Sequence, residues 1–145
     1  MALPEDADQP IHIRAEKAEI DQNAARIIYS GSVQVDQGTL RVTADVMTVD
    51  YQDQQVVRIT AEGAPAKYQQ QLEADQGEVR ADASTIIYHT RDERLDLQGD
   101  AVLVQEGNEI SGELIKYDIV AGKVDAEGGA ASQVEMVLQP ASRPK

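Results

Sequence analysis

Apolar and polar residues alternate along most of this chain, and the alternation breaks at short intervals. Ile27, Tyr29, Val33 and Val35 share one parity; Leu40, Val42 and Ala44 share the next, followed by Val57, Ile59 and Ala61. The second half repeats the habit with Leu95, Leu97, Ala101 and Leu103, then Val134, Met136 and Leu138. A period of two puts each set on one face of a strand. A helix needs apolar residues three and four apart, and no window longer than a few turns keeps that spacing. Turn pairs such as Ser30-Gly31, Gln37-Gly38, Gln98-Gly99, Glu106-Gly107 and Ala121-Gly122 separate the runs. The pattern predicts an all-β fold of many short antiparallel strands.

Two adjacent apolar residues interrupt the alternation at Val46-Met47 and at Leu114-Ile115, where a bulge or burial on both faces is expected. The stretch 31–51 also lies over 99–119 without a gap. It matches Gly31 to Gly99, Gln37 to Gln105, Asp45 to Glu113, Met47 to Ile115 and Asp50 to Asp118, so two halves built alike are expected, in stacked layers of strands. The polar stretch 68–85 lacks clear alternation before Val79, and its middle reads as a loop joining the halves. At 145 residues the chain fits one domain. That domain is expected over 10–140, with a flexible N-terminal segment at 1–9 and a disordered tail at 141–145.

Composition narrows the chemistry. Phe, Trp and Cys are absent, so an interior must be built from Val, Ile, Leu, Ala and Tyr, and disulfides, thiolate catalysis and cysteine metal sites are excluded. Acidic residues number 26 against 13 basic ones, a net charge of −13 scattered along the chain. That balance excludes a nucleic-acid partner, whose phosphates need Lys and Arg, and disfavours an anionic membrane surface. No apolar run approaches the ~18 residues of a bilayer span. The opening MALPEDADQP has neither the charged nor the greasy region of a signal peptide, so a cytoplasmic chain, or a mature secreted form with an added Met, is expected.

Catalytic constellations do not emerge. His12 lies between two isoleucines and faces solvent if they face inward, while His89 stands at the lip of the charged turn HTRDER; both read as surface residues. There is no G-x-S-x-G elbow and no phosphate loop with its Lys, and DADQP lacks the further ligands of a calcium loop. Some pair of carboxylates could stand at glycosidase separation, but no Trp or Phe is present to seat a sugar ring. No catalytic residue, metal or cofactor is expected. What remains is the aliphatic inner face, either a packed core or, if the sheets stand apart, a lumen suited to acyl chains. At ~0.8 kcal/mol per buried methylene, a dozen-carbon chain would contribute on the order of ten kcal/mol before ordering costs.

Several segments in order carry a resemblance. DQPIHI at 8–13, YSGSVQVDQGTL and TAD within 29–45, GAPA at 63–66, QGDAVLVQ at 98–105, ISGELIKY at 110–117 and VLQP at 137–140 together resemble the LptA/OstA family of periplasmic lipopolysaccharide-transport proteins. The resemblance runs from about residue 8 to 140. It implies a β-jellyroll in two facing sheets, open at both ends, with lipid A acyl chains between them and no catalytic activity. It also implies a periplasmic location and head-to-tail self-association. An inner-membrane LptC-like subunit would sit at the N-terminal edge, about Ile11 to Ala15. An outer-membrane LptD-like translocon would sit at the C-terminal edge, about Gln133 to Gln139. The family's groove positions fall on Ile11, Ile13, Tyr68 and Tyr88, with the tyrosine tips expected at a groove mouth. Parity adds Ile27, Tyr29, Val33, Val35, Leu40, Val42, Val57, Ile59, Ile86, Leu95, Leu97, Leu103, Leu114 and Met136 as lipid-binding candidates. Two rivals stand beside this reading: another component of the same pathway that shares the domain, and a β-solenoid enzyme or sugar-binding module.

Overall fold

The structure, a computed structural model, describes residues 9–71, 77–129 and 133–138. The core of the loop expected within 68–85, nearly all of the N-terminal segment, and the tail lie outside the described residues. Among the described residues ten strands follow in order: β1 (His12–Arg14), β2 (Lys17–Asp21), β3 (Arg26–Gln37), β4 (Leu40–Gln52), β5 (Gln55–Gln71), β6 (Glu78–His89), β7 (Arg94–Gln105), β8 (Asn108–Asp118), β9 (Lys123–Glu127) and β10 (Glu135–Val137). They form one antiparallel sheet in the order β1-β3-β4-β5-β6-β7-β8-β10, with β2 also on β3 and β9 also on β8. The chain is all-β, as its alternation predicts. The polar run at 68–71, ahead of the expected loop, is the end of β5, where Gln70 points inward beside Tyr68 and its polarity hides the alternation.

The short alternating runs are halves of longer strands. Register shifts interrupt the pairing between Ser30 and Val33, Thr43 and Val46, Glu62 and Ala66, Asp82 and Thr85, and Gln98 and Ala101. These breaks fall at one level across neighbouring strands and crease the sheet. The internal repeat has its physical basis there. Gly31 and Ser32 have φ of 83° and 47°, and Gly99 and Asp100 have φ of 83° and 47° again. Each pair bulges opposite one residue of the next strand, Asp45 in one case and Glu113 in the other. The glycines are required: a Cβ on Gly31 would lie 2.7 Å from Glu16 Cβ, and one on Gly99 would lie 2.8 Å from Ser84 Oγ.

The crease folds the sheet onto itself. Along β6, Ala81 pairs with Tyr68 and Tyr88 pairs with Ile59. A straight strand would separate those rungs by about 23 Å at ~3.3 Å per residue. Yet the rings of Tyr68 and Tyr88 have centroids 6.3 Å apart. Tyr117 likewise reaches Gln105, although the two lie toward opposite ends of the β7–β8 ladder. The two expected facing sheets are therefore the two halves of one folded sheet.

Charged residues occupy the outer face. Successive pairings line up Asp21, Arg26, Asp50, Arg58, His89, Arg94, Asp118 and Lys123 in one row from β2 to β9. Asp50 is its most enclosed member, accepting hydrogen bonds from Arg26 Nε at 2.8 Å and Arg58 Nε at 3.1 Å. Burial alone would raise its carboxyl pKa, but the bonds and charges of the two arginines outweigh burial and hold it below the ordinary carboxylate value. A depressed folded pKa contributes stability above the unfolded value of ~3.9 and loses it as pH falls through the folded value. Asp50→Asn is thus expected to be less stable than the parent at pH 7, with the gap closing as pH falls below the ordinary carboxylate value and through the folded one in urea unfolding curves.

Candidate functional site

The inner face is built from unbroken cross-strand rungs. One runs Ile13, Val35, Val42, Tyr68, Ala81, Leu103, Ile110 and Met136, from one edge of the sheet to the other. A second runs Ala18, Tyr29, Met47, Ala61, Ile86, Leu97, Ile115 and Ala126. A third runs Ile20, Ile27, Val49, Ile59, Tyr88, Leu95, Tyr117 and Val124. Residues directly opposite in a ladder share a face, so every member points inward.

Most of the residues expected on this face stand on it. Val33, Val35, Leu40, Val42, Ile59, Tyr68, Ile86, Tyr88, Leu95, Leu97 and Leu103 are buried. Ile13, Ile27 and Tyr29 are half-buried on the same rungs. Ile11 and Met136 lie at the two edges, 41% and 54% exposed. Two placements differ. Leu114 pairs with Gln98 and Glu127 on the outer face, and Ile115 takes the inward position, because the bulge at Gly99-Asp100 resets the pairing beside it. Val57 is only half-buried, and its neighbour Val56 packs against the core, where a shift between Asp50 and Tyr51 changes the register.

The interior is also fuller than a lumen. Side chains of the two halves bury one another through the middle, with Tyr68 1%, Leu97 0% and Ile115 0% exposed. Buried alanines at 44, 61, 66, 81, 83 and 101 let the halves approach closely. Tyr68 is therefore not at a mouth: its hydroxyl donates to Gln70 Oε1 deep inside. Tyr117, Met47, Val49 and Ile119 complete this core without having been marked by the alternation alone. Burial pushes up the Tyr117 hydroxyl pKa, partly offset by its bond to Gln105. Open space begins toward β10, where a cavity of about 410 Å³ is lined by Leu103, Gln105, Asn108, Ile110, Val124, Met136 and Leu138, with Glu106 and Glu109 at its border.

The outer face holds the titratable groups. His12 is exposed as expected, but His89 is half-buried, with Nε2 2.9 Å from Asp96 Oδ2. Arg58 and Arg94 pair with His89 on its two sides, which makes it part of the outer row of charges. No group of three or more His, Asp or Glu among the described residues could hold a metal ion. No helix among the described residues is long and apolar enough to cross a membrane.

A single antiparallel sheet, creased and closed over an aliphatic interior with both edges left free, defines an open β-jellyroll. Comparison with known proteins gives the family. Residues 12–123 match the model of the LptA/(LptD N-terminal domain) LPS transport protein family, and this chain belongs to it. It is 36% identical to the lipopolysaccharide export system protein LptH of Pseudomonas aeruginosa, over 97% of this chain and 85% of that protein. It is 32% identical to the lipopolysaccharide export system protein LptA of Escherichia coli K12, over 96% of this chain and 76% of that protein. The crystal structure of LptH, described as the LptA-homologous periplasmic component of the lipopolysaccharide transport device, superposes with a TM-score of 0.85 at 33% identity, covering 94% of this chain and all of that one.

Proposed function

We propose that this protein is a periplasmic bridge for lipopolysaccharide, receiving it from an inner-membrane export complex at the β1/β2 edge and passing it to an outer-membrane translocon at the β9/β10 edge, directly or through further copies of itself. The observation that carries this reading is the inner rung from Ile13 to Met136, apolar from one free edge to the other and ending in the open cavity beside β10. Acyl tails follow such a track without charged clamps, while the phosphate-bearing heads stay in water, repelled by a chain of net charge −13. Contact of this kind is greasy and undirected, which suits a conduit that must release its cargo. The cavity of about 410 Å³ lies near the small end of ordinary ligand sites, so a lipid with several tails must part the two halves along the crease. Each edge consists of two short strands rather than one, since β2 and β9 extend the edges beyond the segments named from the sequence, and Gln139 lies outside the described residues.

The test uses two adjacent positions of β7. A photo-crosslinking residue at Leu103, inside the cavity, is expected to capture lipopolysaccharide in cells, and one at Val102, on the opposite face, is not. Equal capture at both positions would remove the inner face as the carrier.

A further inference from the structure

The inner face changes character at one end. Two positions beyond the rung from Ile13 to Met136 lies a last inward row, in which Gln37 pairs with Leu40, Gln70 with Val79, Val79 with Gln105, and Gln105 with Asn108. The pairing of Arg41 with Gln69 sets Leu40 level with Gln70, so these residues form one row. The three rungs behind it carry no amide side chain, whereas Gln37, Gln70, Gln105 and Asn108 all stand on this one. Beyond it the chain turns at Gly38-Thr39 and at Glu106-Gly107, which makes the row the lip of one half of the sheet.

Burial along the lip is graded. Gln70 is 3% exposed and accepts the Tyr68 hydroxyl, while Gln105 and Asn108 are half-buried and line the cavity of about 410 Å³. The lip is closed over at β5 and open at β7 and β8. On both open strands an apolar residue stands behind the amide, Leu103 behind Gln105 and Ile110 behind Asn108, each about 7 Å further in.

This arrangement selects among ligands. A primary amide is neutral at every ordinary pH and carries two donor hydrogens beside an acceptor oxygen. Gln105 bonds Tyr117 across the fold, and its amide has the capacity to hold a second group at the same time. Glu106 and Glu109 border the cavity, and their carboxylates turn phosphates and other anions away. What fits is a neutral polar group joined to an apolar chain. An acyl tail has one by definition, since it starts at a carbonyl.

Resting on the bridge reading above, we propose that Gln105 and Asn108 bind the neutral carbonyl at the root of an acyl tail, with the tail on Leu103 and Ile110 and the charged head beyond the lip. An aliphatic rim would accept any alkyl chain at any depth. The amide rim prefers acyl chains and fixes the depth at which they ride. One neutral hydrogen bond is also weak enough to be broken at each transfer.

Two uncharged amphiphiles separate this recognition from simple greasiness: N-dodecanoyl-N-methylglucamine, whose tail starts at a carbonyl, and dodecyl glucoside, whose tail starts at a glycosidic oxygen. Titration calorimetry of the full chain, below the micelle concentrations, is expected to show the acyl amphiphile bound about fivefold more tightly, the size of one net neutral hydrogen bond. Gln105→Leu is expected to abolish that preference and leave the glucoside bound as before. Tyr117→Phe removes the same internal bond but keeps the amide, so it is expected to retain the preference. Were Gln105 there only to hold Tyr117, the two variants would behave alike, and that result would overturn the inference. Equal affinity of the parent for both amphiphiles, or none for either, would overturn it as well. Gln37→Leu, on the same row but outside the cavity, should keep the preference, and its loss there would remove the assignment to Gln105 and Asn108. Lipopolysaccharide capture at Leu103 is read separately: capture without the preference fails this inference alone, and no capture fails the carrier reading beneath it.

Discussion

Tyr68→Ala is expected to lower the unfolding free energy by about 3–5 kcal/mol at neutral pH, the range for truncating a large buried aromatic side chain. Tyr68 is 1% exposed, sits between Val42 and Ala81 on its rung, and holds its ring against Tyr88 across the fold. Its loss empties the point where the two halves touch and takes a buried hydroxyl from Gln70. Little collapse is available, since the neighbours Ala66, Ala81 and Ala83 are already small and the backbone is pinned by the crease. Partial recovery with lipid is the second half of the expectation. If acyl tails enter between the halves, a tail can occupy the space the ring left, and ligand that binds only the folded state raises stability by mass action. Urea unfolding with and without lipopolysaccharide measures both effects. Stability lost and not regained, with lipid capture at Leu103 intact, would confine the tails to the cavity beside β10.

The same residue shows how far the chain could be read before its fold was known. Alternation identified the inner face from Val33 to Leu103, because burial on one side of a pleated sheet leaves a period of two in any sequence. It also marked the bulge positions through Val46-Met47 and Leu114-Ile115, but not which member of each pair turns inward. That choice is made on the facing strand: Met47 and Ile115 are inward because Asp45 and Glu113 oppose the bulges at Gly31-Ser32 and Gly99-Asp100. Nor does a strand carry any sign that it will be folded double. The crease needed the left-handed residues and the resulting contact of Tyr68 with Tyr88, a pairing between positions on different rungs. Tyr68 was consequently expected at a wet mouth and lies in a dry centre. Edge strands were the faintest signal, since β1 and β10 have only 3 residues each and share their edges with β2 and β9.

Ile13→Asp is expected to cut lipopolysaccharide capture by about tenfold or more while leaving a folded β spectrum, since a carboxylate must be desolvated wherever an acyl tail passes it. Ile13 is the first inward residue of β1, opposite Val35, and is only half-buried. The position lines the greasy track and packs only against the rim of a core that rests on β3 to β8. β1 itself is 3 residues long, and its loss from the edge would leave the β2–β3 ladder in place. The comparison that isolates its role is Arg14→Ala, which alters the outer face of the same strand, beside Asp36, and leaves the inner rung whole. Single-copy capture, measured at dilution, should fall for Ile13→Asp and hold for Arg14→Ala. Undiminished capture by Ile13→Asp at dilution would mean that tails never reach β1, and the track would then have to begin at β3.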